Sequence, residues 1–202
     1  MKRHAREDIL TLYKDLPVWE QVFTVNPLVV VGTRERGGGY DLAPKHMAFP
    51  VGWEDYFGFV CTPRHNTYHN AKRESVFTVS YPRPTQVVLA SLAAAPREGD
   101  SSKPLLDALR TFPASEVDGI FVEEAYLFLE CVLDRIVDGF GENSLIAGRV
   151  VAAHVHRDYL RASERDDHDL IYESPLLAYL EPGRYARVAE SYSFPFPAGF
   201  TR

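Results

Sequence analysis

The chain has 202 residues, 46% of them hydrophobic and 25% charged, which is enough for one domain with a substantial core. A formal net charge of -6 argues against general binding to nucleic acid or to an anionic membrane, since both need an extended basic face. Any anion site must therefore be local. Two cysteines, Cys61 and Cys131, form neither a disulfide framework nor a zinc pattern, and they suit a reducing compartment.

Residues 1–8 (MKRHARED) are charged and lack the apolar centre of a signal peptide. No apolar run approaches the ~20 residues needed to span a bilayer. The expected location is cytoplasmic. Residues 8–19 (DILTLYKDLPVW) show a short amphipathic pattern broken by Pro17, expected to be a lead-in packed outside the core. Residues 26–33 (NPLVVVGT) are a β-branched run typical of a buried strand. The run Arg36-Gly37-Gly38-Gly39 then supplies residues free to take positive φ, so the chain reverses as a hairpin into residues 40–43. This glycine run lacks the Lys-Ser/Thr ending of a P-loop and the spacing of a dinucleotide fingerprint, so the turn reading wins.

Residues 41–46 (DLAPKH) are short, polar and proline-marked, and an apolar strand follows through Phe57, Phe59 and Cys61. Residues 62–70 (TPRHNTYHN) lead from turn residues into a helix over 67–74. Asn66 or Thr67 is positioned to cap it, because a short side-chain oxygen accepts from an unpaired first-turn N–H. A helix start also carries partial positive charge, and Arg64 just before it adds a full charge with bidentate donors. That is a phosphate site in outline, and it is equally the outline of an ordinary cap.

Residues 75–81 (SVFTVSY) alternate as a strand and are stopped by Pro82 and Pro84. Residues 87–95 and 104–111 read as helices, separated by a polar stretch at 96–102 expected to be a mobile surface loop. In residues 124–138 (EAYLFLECVLDRIVD) strict alternation puts Leu127, Leu129, Cys131 and Leu133 on one side. Helix and strand both remain open for it on the pattern alone. Residues 138–143 (DGFGEN) read as a turn, and residues 144–156 as the partner strand of a long hairpin with Gly148 as a bulge. Two further short segments, 175–180 and 183–188, precede an aromatic and proline-rich tail at 192–197 (YSFPFP), which suits neither a regular strand nor a helix.

The histidine pairs His65/His69 and His154/His156 have spacings that share a face, but HNTYH lacks the glutamate of a zinc-protease helix. Surface or satisfied core histidines are the reading, with no metal. No acid–base dyad or nucleophile signature is present.

The order of these pieces resembles the flavin reductase-like family, whose fold is the FMN-binding split barrel. The carrying residues are the glycine turn, Asp41-Leu42-Ala43-Pro44-Lys45-His46, and Cys61 with Arg64, Thr67 and Asn70 in the pattern C-x-x-R-x-x-T-x-x-N. The later matches are Leu129-Glu130-Cys131, Gly148-Arg149-Val150-Val151, Pro175-Leu176-Leu177 and Gly183-Arg184-Tyr185, so the resemblance spans about 22–190. It implies a strand over 124–138 and a mainly β fold with inserted helices, an antiparallel split barrel that is dimeric. The expected organisation is a lead-in at 1–20, a split-barrel domain at 21–190 and a tail at 191–202.

On the same resemblance, Arg64, Thr67 and Asn70 are expected to hold the FMN phosphate. Ala43, Pro44, Lys45 and His46, with Val60, Cys61 and Thr62, are expected to line the isoalloxazine, mainly by backbone. Pro44 has no N–H to donate, so the donors there must be Lys45 or His46. His46 is either a donor to the ring or a cap of its loop, and Cys61 is either near the ring or a small buried hydrophobe. The implied activity is hydride transfer from NADH or NADPH to FMN, with a homodimer and a flavin-dependent monooxygenase or other electron acceptor as partners. One departure stands out. Many family members that use NAD(P)H carry Gly-Asp-His before the strand that starts here at Ser144, whereas this chain has Gly141-Glu142-Asn143. Asparagine neither stacks like an imidazole nor changes charge near neutral pH. A non-catalytic flavin-binding or delivery protein, or a split barrel binding haem or a deazaflavin, are therefore the alternatives.

Overall fold

The computed structural model describes residues 2–3, 8–13, 16–96, 103, 106, 108–162 and 164–200. Near the N-terminus, β1 (Lys2–Arg3) pairs with β2 (Leu10–Thr11), followed by the short helix α1 (Val18–Gln21). Then come β3 (Thr24–Pro27), β4 (Val29–Arg34), β5 (Tyr40–Lys45), β6 (Ala48–Pro50) and β7 (Tyr56–Cys61). Helix α2 (Asn66–Glu74), β8 (Val76–Tyr81) and α3 (Val87–Leu92) lead to the short pair β9 (Thr111–Pro113) and β10 (Ile120–Val122). The long strands β11 (Leu127–Phe140) and β12 (Asn143–Val155) precede α4 (Asp167–Glu173), β13 (Leu176–Glu181) and β14 (Arg184–Val188).

Seven strands form one antiparallel sheet in the order β5-β4-β8-β11-β12-β7-β6. Its two edge strands, β5 and β6, are consecutive in the chain, joined only by His46 and Met47. Such a short link cannot cross the width of a flat seven-stranded sheet, so the sheet must curl until its edges approach each other. The result is a half-barrel. Its interior holds Val29, Val31, Phe57, Phe59, Phe77, Val79, Cys131 and Ile146, and α2 caps this core with Tyr68 and Ala71. The alternate face of β4 and β5 presents Val30 and Leu42 outward, where Ala90, Ala93, Leu109 and Val122 cover them. Three consecutive valines are thus buried because both faces of β4 are covered.

The expected hairpin at the glycine run is present: β4 pairs with β5, and Gly38 and Gly39 take φ of 94° and 75°. The long hairpin of β11 and β12 is also present and places both strands in the centre of the sheet. Its turn is tighter than expected, because β11 runs on to Phe140 and β12 starts at Asn143.

Several expectations need correction. Residues 26–33 are not one strand: β3 pairs with β13 in a separate three-stranded sheet, while β4 joins the barrel. Residues 8–19 supply β2 and the start of α1 after Pro17, and none of their described side chains is buried. Gly148 is not the bulge. Register shifts fall between Glu130 and Cys131, between Leu133 and Arg135, and between Val137 and Phe140, and Gly148 instead admits the ring of Phe77. The expected helix at 104–111 ends as strand at Thr111, with Leu106 and Ala108 in a tight turn and residues 104, 105 and 107 outside the described set. Of the expected loop at 96–102, only Pro96 is described. The tail is without regular structure over 189–197, as expected.

Candidate functional site

Helix α2 begins without a side-chain cap. Its N-cap residue is His65, in extended conformation, and no side chain bonds to the first-turn amides. The two expected caps are engaged elsewhere. Asn66 points its amide toward the Glu35 carboxylate at 3.5 Å, and the Thr67 hydroxyl donates to Asp41 Oδ2 at 3.2 Å. The positive end of the helix therefore remains available to an external anion.

That end opens onto a cleft of about 320 Å³ between residues 43–45 of β5, residues 64–67, and residues 93–96 beyond α3. Three cations and one carboxylate line it: Lys45, Arg64, Lys103 and Asp41. Lys103 is committed, since its Nζ donates to Asp41 Oδ1 at 2.9 Å, to the Ala93 carbonyl at 3.1 Å and to the Leu42 carbonyl at 3.3 Å. It neutralises Asp41 and pins the α3 region against β5. The surplus positive charge lies on Lys45 and Arg64.

Lys45 is only 9% exposed, and its ammonium meets the thiol of Cys61. Burial pushes the Cys61 thiol up, with Lys45 opposing, so the thiol stays protonated at neutral pH. The His65 imidazole is pushed below its usual value, first by burial and then by Lys45 and Lys103. Arg64 lies at the mouth, 72% exposed, paired with Glu142. An ion pair that open to water is weakly held and yields readily to a better anion.

Two further recesses adjoin the cleft. One, of about 310 Å³, holds Thr62, Arg64, Glu142 and Asn143, so Asn143 shares a wall with the arginine of the anion cleft. The other, of about 430 Å³, lies across Pro44 and contains His46. The His46 Nε2 is 2.9 Å from Glu181 Oε2, and its ring packs on Tyr179 with centroids 4.6 Å apart.

The structure thus brings together Ala43, Pro44, Lys45, Arg64 and Thr67 in one cleft. Thr62 sits with Asn143, and His46 sits beyond Pro44. Val60, Cys61 and Asn70 line none of these three cavities. The Val60 amide is used by the Met47 carbonyl at 2.8 Å. Asn70, expected with Arg64 and Thr67 at the phosphate, is 2% exposed and donates to Thr33 Oγ1 at 3.2 Å, fastening α2 to β4. Asp41, His65 and Lys103 were not anticipated. Asp41 opens the same six-residue motif and was open to inference, whereas Lys103 follows a polar stretch with no periodicity to mark it.

A curled antiparallel half-barrel of this kind is the split-barrel architecture. The chain belongs to the family described as "Flavin reductase like domain", whose profile matches residues 23–187. Among solved structures it is similar to nitrilotriacetate monooxygenase component B from Bacillus cereus, with 20% identity, 92% of this chain and 98% of that one covered, and a TM-score of 0.78. It is also similar to the flavoredoxin of Desulfovibrio vulgaris (Miyazaki F), at 21% identity over 99% and 100% of the two chains, with a TM-score of 0.72. A third is an FMN-binding protein from Thermus thermophilus, at 21% identity over 96% and 100%, with a TM-score of 0.70. Identities this low speak to fold alone. Comparison with curated proteins finds no significant match. Among the described residues no helix is long and apolar enough to cross a membrane, and no group of three or more His, Cys, Asp or Glu is placed to hold a metal ion.

Proposed function

We propose that this chain is an FMN-binding oxidoreductase of the flavin reductase type, using NADH or NADPH as co-substrate. The observation that carries the reading is the uncapped start of α2, opening onto a cleft lined by Lys45 and by Arg64, whose ion pair with Glu142 is open to water. The donor set fits a phosphate monoester: first-turn amides supply directed N–H groups, and Arg64 supplies charge in exchange for its exposed pair with Glu142. Along the cleft, residues 43–45 belong to an edge strand, so part of its backbone polarity faces away from β4 and is free for a planar heterocycle. Lys45 places a buried positive charge in the same wall, which favours added negative charge there. The flavin, when bound, supplies the hydride chemistry, and the protein supplies binding, orientation and charge. The family membership and the flavoredoxin and FMN-binding relatives support this assignment. Likeness to a monooxygenase component B supports a flavin-dependent monooxygenase as one electron acceptor. We place the protein in the cytoplasm and treat residues 21–190 as its functional unit.

A second reading has a specific observation behind it. Asn143 stands in the recess beside Arg64, where a nicotinamide-using relative would carry a histidine, and this favours a flavin carrier without nicotinamide turnover. One experiment bears on both. FMN and riboflavin are titrated into wild type and Arg64→Ala. Arg64→Ala is expected to weaken FMN by roughly 1.5–3 kcal/mol and to leave riboflavin nearly unchanged. Equal losses for the two ligands would remove the phosphate assignment. NADH and NADPH oxidation by the FMN-loaded protein then separates reductase from carrier.

A further inference from the structure

The cavity of about 430 Å³ beyond Pro44 shares Pro44 and Ala94 with the anion cleft, but its chemistry is of the opposite sign. Tyr179 of β13 and Tyr185 of β14 line it as directly paired cross-strand residues, so both rings stand on one face of that sheet. Glu181, two residues beyond Tyr179 on β13, belongs to the same face. His46 comes from β5's side of the cavity, with its ring centroid 4.6 Å from that of Tyr179 and its Nε2 2.9 Å from Glu181 Oε2. Arg184 pairs with Leu180, so its exposed side chain belongs to the other face, away from the two tyrosines.

One atom of this cluster is unsatisfied. Glu181 Oε2 is buried and accepts no hydrogen bond, even with the His46 nitrogen so near. A carboxylate oxygen removed from water and left without a donor is costly, so the position favours an added cation with N–H groups. The rings point the same way, because the face of a tyrosine attracts positive charge through its quadrupole. An anion would be repelled by Glu181, and a neutral apolar molecule would leave the oxygen unpaired. A primary ammonium meets both demands: its N–H groups suit the carboxylate and its charge suits the rings. Leu28 and Ala90 then offer apolar wall to a short alkyl stem. We propose that this cavity is a binding site for a short primary alkylammonium ion. The ammonium takes over the Glu181 carboxylate from His46, whose approach to Oε2 makes no hydrogen bond. The site stands independently of the flavin reading.

The probe is n-butylammonium, titrated into the FMN-free protein and followed by calorimetry, with 1-pentanol as its neutral counterpart of similar shape. Saturable binding of the ammonium is expected, with the alcohol at least roughly tenfold weaker because it lacks the charge-assisted bond. That comparison uses wild type alone and depends on no variant folding. Glu181→Gln should weaken n-butylammonium at least roughly tenfold, and Tyr185→Leu, which keeps an apolar wall but removes the π face, by roughly three- to tenfold. Arg184→Gln, on the opposite face, should leave it unchanged. Absence of ammonium binding at millimolar concentration would overturn the proposal. So would equal affinity for ammonium and alcohol, since the cavity would then be merely apolar. Loss in Glu142→Gln rather than in Glu181→Gln would also overturn it, by moving the ammonium to the exposed carboxylate beside Arg64. Failure of the protein to bind FMN counts against the flavin reading alone, since these titrations use FMN-free protein.

Discussion

Glu130 is a fully buried carboxylate near the start of β11, with 0% exposure, and its position demands compensation. It receives the Ser115 amide at 3.0 Å and hydroxyl at 2.8 Å, the Glu116 amide at 2.6 Å, the Val117 amide at 2.9 Å, and His154 Nε2 at 2.8 Å. Burial alone would raise its pKa, but the bonds from His154, Ser115 and Glu116 outweigh it and hold the group at about 2. The folded value lies below the unfolded one. The stability this carboxylate contributes is therefore fully present above pH ~4.5 and is lost as pH falls toward ~2. Glu130→Gln is expected to cost about 3–5 kcal/mol at pH 7, since three loop amides lose their anion, and to flatten the acid limb of the stability curve. Thermal melts from pH 7 to pH 2 check this, and a constant gap between wild type and variant across that range would refute the assignment. His65 offers a second test at the same scale. Its pKa is lowered by burial and by Lys45 and Lys103, so an anion bound at the start of α2 should raise it toward the ordinary value. NMR titration with inorganic phosphate should show that rise in wild type and lose it in Arg64→Ala.

At the scale of elements, close approach within the sheet explains glycines that sequence pattern alone misassigns. A Cβ on Gly148 of β12 would lie 2.7 Å from the Phe77 ring and 2.9 Å from the Val132 carbonyl, one a core ring and the other backbone. Gly148→Ala is expected to destabilise by about 1–3 kcal/mol through overpacking. At Gly37, in the β4–β5 turn, a Cβ meets nothing within 4 Å, so Gly37→Ala should be neutral or slightly stabilising. Chemical denaturation of the two variants gives the comparison, and equal effects would mean that the Gly148 site relaxes. The same contrast shows what was legible beforehand. The hairpin at Gly38 and Gly39, the strand at Phe57–Phe59 and the long β11–β12 pair are written in local alternation and turn chemistry. The break between β3 and β4 is hidden, because an unbroken β-branched run reads the same whether it serves one sheet or hands over between two. The cap of α2 was misplaced for a related reason: Asn66 and Thr67 have capping side chains, but Glu35 and Asp41, distant in sequence, draw them away. In the site, Arg64 and residues 43–45 were readable from one short motif. Lys103 was not, since tertiary packing alone brings it to Asp41.

At the scale of the whole molecule, the half-barrel leaves β5 and β6 as edge strands beside the proposed flavin cleft. An edge with unpaired backbone groups is normally covered, and so is a group of large exposed apolar side chains. Here Met47 and Phe49 flank the β5–β6 edge at 41% and 42% exposure, and Trp53 follows at 88%. The tail adds Tyr192 at 89% and Phe194 at 71%, with Phe194, Phe196 and Phe200 packed in series at centroid distances of 4.6 and 4.7 Å. A second copy of the chain is the simplest cover, because symmetric dimers are the commonest soluble assembly. We expect a homodimer burying at least ~1,600 Å² in total, the area of a standard specific interface, with residues of one subunit reaching the flavin cleft of the other. Trp53→Ser with Phe49→Ser should then shift the assembly toward monomer and weaken FMN, although neither residue lines the anion cleft. Sedimentation at micromolar concentration reads the first effect and FMN titration the second. A clean 22.8 kDa species that still holds FMN would show that the half-barrel completes its own site, and the dimer argument would fail with it.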